Sequence, residues 1–242
     1  MSREISADFK ILTSFIDKFE LSIILKEQDL LDNMKPMHKK LFALMTFISE
    51  IDQKNDEHKI FSQKGLDYLK ESISDMGQSF FCWSQGAYKP SNLILRSSIE
   101  TFVKAIAGQE DISIYSEKNM YKVFELAKNT NYFSSGYCQP FFAKIYSSYK
   151  DLCQVVHTAG LTNMSHISAL KTFPLFSKRE ALSFSKEFIE LATQMLCVIY
   201  VNFFGFIHIM HHKNQSNFIL SIPKGTRLFP RLHSEKVAPS RQ

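Results

Sequence analysis

Apolar residues recur along this chain every three to four positions, not every second one, and that period belongs to helices. Phe9, Leu12, Phe15, Ile16 and Phe19 form the first stripe. Pro36 punctuates the next segment, and beyond it Leu41, Leu44, Met45, Ile48 and Ile51 form a second. Asp52 to His58 carries no apolar residue and predicts a loop or a frayed helix end. A helix is predicted from Gly65 to Gln85, closing in Phe80, Phe81 and Trp83, with Gly86 and Pro90 breaking the chain after it. Ser91 is a fitting N-cap for a helix over 92–107, whose inner face is Leu95, Ile99, Phe102, Val103 and Ile106.

Ser116 can cap a shorter helix through Lys128, and the Asn- and Ser-rich stretch 129–136 reads as a loop. From Phe142 through Val156 the helical period runs without a miss, and Gly160 stops it as a glycine just past a helix end. Residues 161–176 are irregular. Ser177 and Glu180 have the spacing of a capping box, which opens a long helix to His212. Little regular structure is expected after Pro223, and no alternating strand or internal repeat is visible. The pattern predicts an all-α helical bundle of about six or seven helices over residues 1–212, with a poorly structured C-terminal tail at 213–242.

Composition adds a core. Hydrophobic residues are 45% of the 242, with 22 phenylalanines but only 8 glycines and 7 prolines, which excludes a disordered chain or a collagen-like fibre. Charge adds a direction. The tail holds Lys213, Lys224, Arg227, Arg231, Lys236 and Arg241 against Glu235, so it carries the whole formal excess of +5 and leaves 1–212 balanced. Lys224, Arg227, Arg231 and Lys236 are therefore the candidate nucleic-acid-binding residues, against the plainer reading of a solvated tail. Cys82, Cys138, Cys153 and Cys197 form no Cys-x-x-Cys pair, and the polar start predicts no signal peptide; together they predict a cytoplasmic protein with reduced thiols. Leu191 to His212 lacks charge but contains Asn, Gln and three histidines, so it reads as a buried central helix, membrane contact being the weaker alternative.

Two constellations could carry chemistry. Arg96, Glu100 and Lys104 make a ladder along one helix edge, with Arg96 bordering the apolar stripe and the other two leaning toward solvent. Either the ladder is an ordinary ion-pair row, or Arg96 is a half-buried phosphate binder oriented by Glu100. Tyr149, Cys153 and His157 share one face of their helix, and His157 in the last turn is placed to move a proton or to bond a backbone carbonyl. His208 and His212 have a metal-compatible spacing but no matching carboxylate or thiolate, so no metal is expected. Glycine-rich phosphate loops, a Gly-x-Ser-x-Gly elbow and His-Glu-x-x-His are absent, and no cofactor is predicted.

Leu95-Arg-Ser-Ser-Ile-Glu100, followed by Tyr149-x-x-Leu-x-x-x-Val-His157, resembles the helical HEPN-like proteins of bacterial abortive-infection and toxin–antitoxin systems. The resemblance covers residues 66–212. It implies an arginine-bearing helix packed beside one that ends in histidine, and in the active members a metal-independent RNase acting as a dimer. Those members carry Arg-x4–6-His on one helix; here that spacing occurs only from Arg227 to His233, across Pro230. An active site would instead assemble Arg96, Glu100 and His157 from separate helices. The resemblance implies RNA, a protein from the same locus and a second copy as partners. The competing expectation is a non-catalytic helical interaction subunit, in which the same three residues brace the core.

Overall fold

The computed structural model describes residues 2–18, 28–156 and 177–228. Among them the fold is all-α: α1 (Arg3–Lys18), α2 (Gln28–His58), α3 (Gln63–Ser84), α4 (Tyr88–Ala107), α5 (Met120–Lys128), α6 (Asn131–Ser134), α7 (Gln139–Val156), α8 (Lys178–Asn202), α9 (Phe204–Ile209) and α10 (His212–Leu220). Short 3-10 turns occupy Ile112–Tyr115 and Thr226–Leu228. No helix among the described residues is long and apolar enough to cross a membrane.

Several boundaries depart from the expectation, each for a local reason. Pro36 lies inside α2, flanked by Met34 and Met37, both fully buried, so packing carries the helix through the missing backbone N–H. α4 starts at Tyr88 and places Pro90 in its first turn, where an N–H would have no partner anyway. Ser91 is consequently no cap. Asn119, not Ser116, caps α5 by accepting from the Tyr121 and Lys122 N–H groups, and 129–136 contains the single turn α6. Ser177 does cap α8 through Glu180 N–H at 3.4 Å, but its own N–H donates to Tyr88 Oη, so the box is half formed. The predicted long helix breaks at Phe203 and again at Met210, giving α8, α9 and α10. The helical body also runs beyond 212, since Phe218 and Ile222 lie in the core. Gly160 and 161–176 fall outside the described residues.

The α3–α4 hairpin is built on small residues. Gly65, Ser72 and Ser79 recur every seven positions on α3, and Ser91, Ser98 and Ala105 do so on α4. The four serines are fully buried. Ser79 Oγ donates to Ser91 C=O at 2.8 Å, Ser91 Oγ returns a bond to Ser79 C=O at 2.7 Å, and Ser72 Oγ donates to Ser98 C=O at 2.7 Å. These three hydroxyls reach the other helix's backbone, which requires the two axes to lie close, while Ser98 Oγ bonds Leu95 C=O of its own helix at 2.7 Å. Gly86, at φ 74°, makes the turn, with bonds from Gly86 N–H to Trp83 C=O and from Ala87 N–H to Cys82 C=O that satisfy the end of α3. At the hairpin's open end the Gln109 amide and the Tyr115 hydroxyl fill the space beside Gly65, and the Tyr115 ring fills that beside Gly108, where an added Cβ would lie 2.3 Å from it.

α8 is the central helix, as its uncharged run predicts: Leu191 through Ile199 has no residue exposed on the core side, and Met195, Leu196, Val198 and Ile199 are at 0%. It packs against α2, α4 and α7. Trp83 ties it to the hairpin by donating to Ala181 C=O at 3.0 Å. The C-terminal helices are fastened by Glu50 of α2, which is 2% exposed. Its carboxylate accepts from His211 N–H, from Asn214 Nδ2 at 2.6 Å and from Lys54 Nζ at 2.8 Å. Burial pushes the Glu50 carboxyl up, but these donors together outweigh it and leave it below the ordinary glutamate value. The charge also sits at the start of α10, where a helix favours an anion.

Close approach sets the expected mutational pattern. Ser79→Leu should destabilise the protein by about 1–3 kcal/mol through overpacking, and Ser79→Ala by about 1 kcal/mol through one lost hydrogen bond. Urea unfolding of the two variants measures this. Equal losses would mean the helices are not held at serine-to-backbone distance.

Candidate functional site

Arg96 and Glu100 project from successive turns of α4 toward α7, with Arg96 Nε 3.3 Å from Glu100 Oε1. Their side chains are exposed to similar extents, 22% and 26%, so Glu100 does not lean into solvent as its wheel position suggests. The reason is Tyr149 of α7, itself buried, whose hydroxyl donates to the Glu100 carboxylate and covers it. The ladder also ends there. Lys104 turns away to donate to Glu117 C=O at 2.7 Å.

The electrostatics of this cluster are uneven. Burial raises the Glu100 carboxyl above the ordinary glutamate value despite Arg96, Tyr149 and Lys104, which all favour the charged form. Burial, and then the Glu100 charge, likewise raise the Tyr149 phenol well above its usual range. Asp75 of α3 adds a second buried carboxyl, raised by burial and bonded by Ser97, with Oδ2 lacking a partner among the described residues. Arg96 Nε–H is also buried and has no acceptor among the described residues, because the nearby Glu100 oxygen is off its N–H direction. With the Glu100 oxygen off that edge, the Arg96 guanidinium is not closed into a two-point pair with its neighbouring carboxylate.

One turn before Arg96, Asn92 borders a cleft of about 560 Å³ between α4, α7 and the start of α8. Its lining holds Arg179 against Asp151, Glu180 and Glu187, a balance that disfavours phosphate. His157 lies outside the described residues, the last of α7 being Val156. Tyr149 and Cys153 do face the cluster together, as their spacing predicts, and they interact with each other.

The tail candidates divide. Arg231 and Lys236 lie outside the described residues. Lys224 is exposed, and Arg227 is half-buried, donating Nε and Nη2 to Ile222 C=O at 3.1 and 2.9 Å. His208 and His212 lose their common face because α9 ends at Ile209 and α10 opens at His212; His208 Nδ1 instead meets Phe204 C=O at 2.9 Å. Asp75, Lys39 and Lys40 were invisible as site residues in the sequence, since their neighbours in space lie on other helices. Comparison with protein-family models, with curated proteins and with solved structures finds no match to this chain.

The Tyr149 hydrogen bond favours the Glu100 carboxylate, so Tyr149→Phe should move the Glu100 titration further upward. A carbon-13 NMR titration of glutamate-labelled protein reads this. An unmoved midpoint would remove Tyr149 from the cluster.

Proposed function

We propose that this chain is a HEPN-like helical component of a bacterial anti-phage or toxin–antitoxin system that acts in the cytoplasm by binding RNA or by cleaving it without metal. Arg96 binds a phosphate, Glu100 orients Arg96, and His157 moves the proton, while the basic C-terminal residues steer RNA to the body. A protein from the same locus and a second copy of the chain are its expected partners. The observation that supports this reading is the half-buried Arg96, whose Nε–H has no acceptor among the described residues, beside a Glu100 carboxyl that burial raises above its ordinary value.

A non-catalytic interaction subunit is the second reading. It is favoured by the Tyr149 hydroxyl, which closes over Glu100 from α7 as a structural network would. The two readings part in one experiment. Purified protein is incubated with total bacterial RNA, with and without EDTA, beside Arg96→Ala and His157→Ala. The RNase reading predicts cleavage that survives chelation and disappears in both variants while their melting temperatures stay within a few degrees of the parent. No cleavage by the folded parent, with Arg96→Ala losing about 1–3 kcal/mol of stability, gives the residues to the brace.

A further inference from the structure

The C-terminal turn and α2 together gather cations that the sequence keeps some 180 residues apart. Lys40 Nζ donates to Ser221 C=O, and Arg227 donates twice to Ile222 C=O, the next carbonyl along, at 3.1 and 2.9 Å. Ser221 Oγ in turn reaches Lys39 C=O at 3.5 Å. Two positive side chains are thereby fixed on consecutive carbonyls just past the end of α10, a position that a helix favours for cations. Lys39 stands beside them, half-buried, and Lys224 is exposed on the same turn.

No acidic side chain among the described residues answers this charge. Among the described residues none of Lys39, Lys40, Lys224 and Arg227 makes an ion pair. The acids that α1 brings to α2 and α10 are engaged elsewhere: Asp8 by His38 Nε2 at 2.5 Å, and Glu4 by Asn217 Nδ2 and by Lys213 at 3.7 Å. Gathering like charges in a half-buried place destabilises the free protein, and the unfavourable interaction is relieved when an anion binds. The helix-end carbonyls account for Lys40 and Arg227. They do not account for Lys39 or Lys224.

We infer that Lys39, Lys40, Lys224 and Arg227 form a phosphate-binding collar for the backbone of single-stranded RNA. The collar shares no residue with the Arg96 cluster, and it rests on the reading of the chain as an RNA binder. Charge of this kind reads backbone and not base identity.

The collar carries its own pH signature. Burial pushes the Lys40 ammonium down to about 8; Cys197 of α8 opposes the shift, and the charges of Lys39 and Arg227 add smaller downward contributions. Burial and Arg227 also lower Lys39. The Cys197 thiol is pushed up to about 11 by burial and stays neutral through this range. A bound phosphate favours protonated Lys40, so RNA binding takes up a proton and weakens as the pH rises from about 7 to about 9.

The test is fluorescence anisotropy of a short, labelled, unstructured RNA titrated with full-length protein over a range of salt and pH. Parent protein should bind, with affinity falling as pH rises through Lys40's range. Lys39→Gln with Lys224→Gln should weaken binding at least about tenfold and reduce the log–log salt slope by about 1.4, the value for two phosphate contacts on a single strand. Lys40→Gln should flatten the pH dependence; if it fails to fold, the double variant carries the test. Parent binding that is unchanged in the double variant overturns the collar while leaving the Arg96 reading in place. A parent that binds no RNA overturns both. Binding instead to phosphatidylserine vesicles, lost in the same double variant, would assign the collar to a membrane surface and also overturn the inference.

Discussion

Backbone-to-backbone closeness of α3 and α4 is the constraint on which the rest of this fold is arranged. Serine hydroxyls that reach the opposite helix's carbonyls replace the large side chains that usually separate two helices. Each buried hydroxyl finds an acceptor, so the closeness is reached without orphaned polar groups. One consequence is sidedness. With small residues spent on the seam, the bulky residues of both helices, Trp83, Phe80, Leu95, Ile99 and Phe102 among them, lie in the common core with α8. A second consequence is positional: α4 is held firmly enough to present Arg96 and Glu100 to α7, and α3 is near enough for Asp75 to act electrostatically on Glu100.

Two carboxylates of the same residue type meet opposite fates in this frame. Glu50 and Glu100 are both withdrawn from water, and burial pushes both toward the neutral form. Around Glu50 a backbone N–H, an amide and an ammonium converge, and the charged form wins. Around Glu100 a guanidinium misses its hydrogen-bond direction and a second carboxyl adds repulsion, and the neutral form gains. Donor geometry, not the count of positive neighbours, separates them. Glu50 reads as a clamp, and Glu100 as a group maintained against its own solvation.

Much of this was legible in the sequence, because helical periodicity follows from what each helix buries. The stripe of Leu95, Ile99, Phe102, Val103 and Ile106 is the buried face of α4, and the uncharged run after Leu191 is the central helix. Tyr149 and Cys153 share a face as their spacing requires. Boundaries were less legible where tertiary packing decides them: Pro36 is carried within α2, and the run to His212 is broken at Phe203, where Asn202 turns its amide to Tyr132 C=O at 3.0 Å and to the Cys138 sulfur at 3.4 Å. Ser91 looked like a cap because a cap and a seam use the same residue type; only the seven-residue spacing of Ser72, Ser79, Ser91 and Ser98 distinguishes them. The pairing of Lys39 and Lys40 with the C-terminal turn left no local mark, since each contact spans most of the chain.

That Glu100 is maintained at a disadvantage, and does not brace the core, is the central claim, and the pH dependence of stability tests it most directly. A carboxyl raised above its ordinary value of 4.5 gives its full contribution to folding below that value. The contribution is lost as the pH rises through its own higher value. Urea unfolding of the parent and Glu100→Gln, measured from about pH 4 to about pH 8, should show the glutamine variant at least as stable as the parent near neutrality, with any advantage disappearing toward the acid end. A glutamine variant clearly less stable than the parent near neutrality would show that the Arg96–Glu100 pair holds the helices together, and would contradict the account.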